Sequence, residues 1–160
     1  FDIRRQQVDL RQVIDTVRED LAGQIEASGS QITVSAPRSL KGMWDRMRIA
    51  QVVTNLVSNA VKYGEGAPIK IELCRFGGRA RLTVQDAGPG IAPEHQPRIF
   101  DRFVRSPASD QGLSATKKDG YGLGLWIVRR IVESLNGSVS LESQPGRGAT
   151  FQVLLPLDAE

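Results

Sequence analysis

Hydrophobic and polar positions alternate along this chain in two periods. From Val8 to Ala27, the residues Leu10, Val13, Ile14, Val17, Leu21 and Ile25 recur at helical intervals, and Gly29 closes the segment. Ile32 and Val34 alternate with polar neighbours as a short strand that Pro37 ends. Asp45 is placed to cap a second helix over Arg46 to Tyr63. In it Ile49, Val52, Val53, Leu56, Val57, Ala60 and Val61 form one apolar stripe. The period then falls to two in Ile69, Ile71 and Leu73 and again in Ala80, Leu82 and Val84, with Gly77-Gly78 as the turn of a hairpin. A third helix is predicted from Leu123, Ile127, Ile131 and Leu135, with Val128 and Val132 beside them, stopped by Asn136-Gly137. Val139/Leu141 and Phe151/Val153/Leu155 predict two strands around the turn Pro145-Gly146-Arg147-Gly148.

One stretch breaks both periods. Between Ala92 and Asp119 only Ile99, Phe100, Phe103 and Val104 make an apolar island, and the rest is polar or small. A loop of that length inside a compact domain is either functional or disordered, and its place just before a run of glycines reads as a lid.

Composition narrows the class without changing this outline. A chain of 160 residues with 40% apolar content suits one domain with its own core, expected to span residues 1–160. No apolar run reaches the length of a membrane span, and no signal-peptide pattern opens the chain. The net charge of +3 is compatible with a polyanionic small molecule and too diffuse to argue for nucleic acid. Cys74 and His95 are the only residues of their kinds, which excludes an internal disulfide and a metal site built on Cys or His. A chain opening at Phe1 reads as a piece of something longer.

Three groups of residues carry candidate chemistry. Gly120, Gly122 and Gly124 form a glycine-rich turn just before the third helix, where close backbone approach and the unpaired N–H groups of the helix start make an anion site. Leu125 rules out the dinucleotide fingerprint, and no Gly-Lys-Ser/Thr completes a P-loop. On the second helix, Asn55, Asn59 and Lys62 fall within an arc of about 60° beside the apolar stripe, two amides and an ammonium able to serve a hydrated metal and a phosphate. Solvated asparagines with a surface lysine would give the same pattern, although asparagine is a poor choice inside a helix. Asp86 continues the period of two from Val84, so its carboxylate faces the core side and needs a partner. That partner is either a ligand amine or the loop Asp86-Ala87-Gly88-Pro89-Gly90-Ile91 itself.

Taken together, Asn55-Leu-Val-Ser-Asn59-Ala-Val-Lys62-Tyr63, Asp86-Ala-Gly88-Pro-Gly90, Phe100-Asp-Arg-Phe103, Gly120-Tyr-Gly122-Leu-Gly124-Leu and Gly148-Ala-Thr150-Phe resemble, in order and spacing, the N, G1, F, G2 and G3 boxes of sensor histidine kinases. The resemblance covers essentially the whole chain. It implies an α+β two-layer sandwich of the GHKL (Bergerat) type, a mixed β-sheet packed on three helices, with ATP under a mobile lid at about 92–119. It also implies roles. Asp86 would accept from the adenine amine, Gly88, Gly90 and Ile91 would shape the loop so that the base can approach, Tyr63 would flank the base, and Thr150 would support the adenine end. Asn59 would ligate Mg²⁺ with Asn55 beside it, and Lys62 would face the phosphates. Gly122 and Gly124 would present backbone N–H groups to the phosphates, within a nucleotide-binding stretch of Gly120, Tyr121, Gly122, Leu123, Gly124 and Leu125, and Arg102 or Arg105 would meet the γ-phosphate.

The chain departs from the pattern in two places. The phosphoacceptor histidine and its dimerisation helix are missing, since His95 lies in Pro93-Glu-His-Gln-Pro97, where prolines oppose a helix. Tyr121 and Trp126 stand where the family more often has smaller residues. The expected activity is therefore transfer of the γ-phosphoryl group of Mg-ATP to a histidine on the protein's own dimerisation domain, with a response regulator as indirect partner. The isolated domain is expected to be monomeric and cytoplasmic, within a homodimeric protein whose anchoring in an inner membrane stays open. Rival readings are a regulatory ATP-binding module without transfer, and a GHKL ATPase. Asn55 tells against the latter, because an amide cannot take a proton from water at neutral pH.

Overall fold

The computed structural model describes residues 2–101 and 120–158, with backbone alone for 120–123. In chain order it contains β1 (Gln6–Asp9), α1 (Leu10–Asp20), α2 (Ala22–Ser28), β2 (Ile32–Ser35), β3 (Lys41–Trp44), α3 (Arg46–Tyr63), β4 (Ile69–Phe76), β5 (Arg79–Asp86), a 3-10 turn (Gln96–Arg98), α4 (Gly120–Ser134), β6 (Ser138–Ser143) and β7 (Ala149–Pro156).

Five strands form one mixed sheet in the order β2-β4-β5-β7-β6, with β2 parallel to β4 and the other pairs antiparallel. Its inner face carries Ile69, Ile71, Leu73, Ala80, Leu82, Val84, Phe151, Val153 and Leu155, all buried. Helices α3 and α4 pack on that face and on each other, and α1 packs against α3. The apolar stripe of α3 meets Leu125, Val128, Ile131 and Leu135 of α4 within one continuous core. Burying a side chain of this size contributes roughly 1.5–3 kcal/mol, so the two-layer sandwich follows from the two periods in the sequence.

The elements depart from the expected ones at the amino-terminal end. The helix read over Val8 to Ala27 is two helices, broken at Leu21 just before Ala22-Gly23, so the described residues hold four α-helices where three were expected. Val8 belongs to β1, and Asp9 caps α1 by accepting from the Arg11 N–H at 3.1 Å. Strands β1 and β3 pair antiparallel as a separate ribbon that no alternation announces, since Gln6, Gln7, Lys41 and Gly42 offer few apolar positions. What holds the ribbon is Trp44. Its indole is fully buried over Gly42, where any Cβ would strike the ring, and its Nε1–H donates to the Pro156 carbonyl at 2.7 Å.

Elsewhere the expected elements stand. Asp45 caps α3 through the Arg48 N–H at 3.3 Å, and Gly29 ends α2 at φ 80°. The proposed lid stretch begins differently from a free loop. Residues 92–101 are described and held: Ile99 is buried, the Phe100 and Phe151 rings meet edge-on at 6.0 Å, and Asp101 lies 3.7 Å from the Arg129 guanidinium. The remainder of that stretch, with Arg102 and Arg105, lies outside the described residues. No described helix is long and apolar enough to cross a membrane.

Candidate functional site

Helix α3 links the two halves of the site. Asn55, Asn59 and Lys62 line its border toward α4, and Tyr63 ends it, eight residues or roughly 12 Å from Asn55. Gly64 follows at the base of the Asp86 loop, where a Cβ would lie 3.4 Å from that of Asp86. Gly88 packs on the same helix end, since a Cβ there would come within 2.9 Å of the Tyr63 carbonyl oxygen.

At this end of the site Asp86 is only 6% exposed. It accepts from the Gly88 N–H at 2.9 Å, so it does cap its own loop, and a carboxylate has acceptor sites beyond those its own backbone partners use. Burial raises its pKa above the ordinary carboxylate value, against the N–H groups of Gly88 and Ala149, which pull it down. The loop is closed by the turn between β6 and β7. Gly90 and Gly148 both adopt φ 79°, and a Cβ on either would strike a backbone oxygen, that of Gln144 or of Asp86. Gly90 is thus required by contact between protein loops, whatever approaches from outside.

Thr150 does not join this end. Ala149 pairs with Asp86 across β5 and β7, whereas Thr150 pairs with Gln85, which is exposed on the outer face. Successive side chains of a strand point to opposite faces, so Thr150 is turned away from the carboxylate. The Asp86 carboxylate is met instead by Ala149, through its backbone N–H. Counting back by two from the inward Phe151 would have found it.

At the other end, a cleft of about 60 Å³ between α3 and α4 is lined by Asn55, Ser58, Asn59, Lys62, Gly124 and Leu125. The Asn55 amide donates to the Gly124 carbonyl at 3.2 Å and so ties the two helices together. Asn59 is 8% exposed, and no hydrogen bond of its amide is recorded among the described residues. Lys62 is exposed at the rim, and Leu125 is a core residue whose edge reaches the cleft. Ser58, one residue before Asn59, was not expected here.

The glycines stand within α4, whose first residue is Gly120, and not in a loop ahead of it. A helix leaves N–H groups unpaired only in its first turn. Helix geometry directs the N–H of Gly124 back to the Gly120 carbonyl. A Cβ on Gly124 would meet only the Asn55 Nδ2 at 3.9 Å, an ordinary contact.

A magnesium ion fits this donor set as a bridge. Asn59 offers one nearly buried amide oxygen, and Mg²⁺ commonly takes one or two protein oxygens and completes its shell from phosphates and water. No group of three His, Cys, Asp or Glu side chains able to hold a metal occurs among the described residues.

Residues 44–159 match the family model described as "Histidine kinase-, DNA gyrase B-, and HSP90-like ATPase". The chain is 36% identical over 160 residues to the adaptive-response sensory kinase SasA of Thermosynechococcus vestitus, a match covering 98% of this chain and 40% of that protein. Among solved structures, full-length ShkA in complex with AMPPNP is similar with a TM-score of 0.83 at 28% identity, covering 100% of this chain and 32% of that one. Histidine kinase ThkA in complex with response regulator protein TrrA gives a TM-score of 0.78 at 26% identity, covering 97% of this chain and 42% of that one. The chain thus spans less than half the length of each of these proteins.

Proposed function

The chain belongs to the histidine kinase-, DNA gyrase B- and HSP90-like ATPase family, as the catalytic ATP-binding domain of a sensor histidine kinase, and from that premise we propose that it binds Mg-ATP and passes the γ-phosphoryl group to a histidine on a separate dimerisation domain. The observation that carries this reading is the single helix α3, which brings Asn55, Asn59 and Lys62 to the head of α4 and ends beside Asp86. A nucleotide laid along it meets a base-reading carboxylate at one end and phosphate-binding groups at the other.

Asp86 accepts from the exocyclic amine of adenine, with Tyr63, Gly88, Gly90 and Ile91 around the base. Asn59 would hold Mg²⁺, which would supply positive charge against the phosphates; Lys62 and the N–H groups of Gly120, Tyr121 and Gly122 hold phosphate oxygens. Arg102 and Arg105 serve the γ-phosphate from outside the described residues. Transfer of this kind depends on positioning and charge stabilisation more than on covalent chemistry by the protein. The Asn55 amide is engaged with Gly124 and is no base, which supports transfer to histidine over hydrolysis. His95 lies in a turn, not on an exposed α-helix, and does not serve as acceptor. The acceptor belongs to the protein's own dimerisation domain, in a homodimer that hands the phosphoryl group to a response regulator. The domain works in the cytoplasm, and the whole protein is either free or tethered to the inner membrane.

The test has two steps. Calorimetry with AMPPNP and Mg²⁺ should show binding, and ATP should then place acid-labile phosphate on an added histidine-bearing dimerisation domain and none on this chain. Absence of nucleotide heat from folded protein would overturn the reading. Multiple-turnover hydrolysis by this chain alone would favour the ATPase alternative, and binding without transfer the regulatory module.

A further inference from the structure

Two side chains outside all the motifs hold the base end together. The Ser143 hydroxyl accepts from the Ile91 N–H at 2.7 Å and donates to the Gly148 carbonyl at 2.8 Å. The Gln96 amide nitrogen donates to the Ile91 carbonyl at 2.8 Å and to the Ser143 carbonyl at 2.9 Å. Gly146 adds a backbone bond to Pro89 at 2.7 Å. Loop 86–91 begins at the carboxylate and ends at Ile91, while Gly148 precedes Ala149, whose N–H reaches that same carboxylate. One hydroxyl and one amide therefore fix both edges of the frame in which Asp86 sits. Each polar atom used is one that side chain can supply, and a serine hydroxyl spends its donor and one acceptor here.

We propose that Gln96 and Ser143 are positioning residues for base recognition, acting through the placement of the Asp86 carboxylate. This rests on the reading that Asp86 accepts from the adenine amine. Gln96 also lies five residues before Asp101, so the same amide joins the base end to the root of the segment that follows. Loss of either side chain strands buried carbonyl or N–H groups, and the loop is expected to shift until they find water.

The readout is discrimination, measured by calorimetry with ATP and with inosine triphosphate, whose base carries a carbonyl where adenine has its amine. Unaltered protein should prefer ATP. Ser143→Ala and Gln96→Leu should each shrink that preference about fivefold, the scale of one displaced hydrogen-bond partner, while inosine triphosphate binding holds. Ser143→Thr, which keeps the hydroxyl, should retain it. Equal weakening of both nucleotides, or loss in Ser143→Thr as well, would assign the two residues to packing and overturn the proposal. So would a full preference in Ser143→Ala under conditions where Asp86→Asn abolishes it. No preference in the unaltered protein would instead remove the reading of Asp86, and the proposal with it.

Discussion

The two ends of the candidate site are built on opposite plans. The base end is closed: Asp86, Gly88, Pro89, Ile91, Gln96, Ser143, Gly146 and Gly148 are joined by hydrogen bonds of 2.7–2.9 Å, and Gly88, Gly90 and Gly148 stand where a Cβ would strike backbone. The phosphate end is open. One bond of 3.2 Å ties Asn55 to α4, Asn59 holds its amide uncommitted among the described residues, and Gly124 has room for a methyl group. A flat base of fixed shape can be met by a rigid frame. Phosphates and a hydrated metal bring their own ligands, and groups already satisfied would have to be stripped to receive them. The difference is in keeping with the proposed division, recognition at one end and charge handling at the other.

Glycine substitutions break this comparison most sharply. Gly148→Ala forces a Cβ onto the Asp86 carbonyl at a φ of 79° and should remove about 3 kcal/mol of stability. Gly124→Ala meets only an ordinary contact inside a helix, and should leave stability unchanged or raise it by up to about 1 kcal/mol. Urea denaturation of both variants decides the point, and similar losses would show that the two ends do not differ in this way.

That contrast also explains what could be read in the sequence. Period and capping placed α3, the hairpin and the inward Asp86, because burial on one face enforces them. The ribbon of β1 and β3 left no trace, since its apolar burial comes from one residue in each strand, Val8 and Trp44, too few to show a period. Thr150 was taken from a motif, whereas strand register decides which of two neighbours faces Asp86, and it chose Ala149. Gln96 and Ser143 were missed because polar side chains that bond backbone leave no pattern. The glycines read as a loop because propensity discourages them in helices, and packing of α4 against α3 overrides that cost of about 1 kcal/mol each.

Asn59→Ala should separate the functions of the two ends. Phosphoryl transfer by the whole kinase is expected to fall about 100-fold, the scale of removing one group that meets developing charge. Binding of adenosine, which has no phosphate, should be untouched. A parallel loss in both measurements would place Asn59 in the fold instead.

Asp86→Asn tests the base end without altering its size. An amide turns a donor toward the adenine amine, itself a donor, and ATP affinity should drop by about 1–3 kcal/mol. Stability should move the other way. A carboxyl whose pKa is raised by burial favours the folded state while protonated, and that contribution is lost as pH climbs through the raised value. Near neutral pH the ionised Asp86 therefore works against the nucleotide-free fold, and the neutral amide relieves it. Weaker binding with a melting temperature equal to or above that of the unaltered domain is the expected pair. A less stable variant whose dependence on pH matches the parent's would contradict it.

The smallest effect belongs to Asn55, and its sign across two substitutions carries the information. Its Nδ2 donates to the Gly124 carbonyl at 3.2 Å across the cleft, at partial burial. Asn55→Ala deletes one such bond and should cost about 1 kcal/mol, since water can reach the freed carbonyl through the open cleft. Asn55→Asp keeps the shape but sets a carboxylate, which has no donor when ionised, against that carbonyl oxygen. It should cost more than the alanine at neutral pH, and the gap should close as the pH falls and protonation restores a donor. If the tie serves only to link two helices, chemical denaturation will rank the variants in that order while adenosine affinity stays constant. If Asn55→Asp is instead the more stable of the two, the amide of Asn55 does not set the distance between α3 and α4. The phosphate end would then be looser still than its single recorded bond suggests.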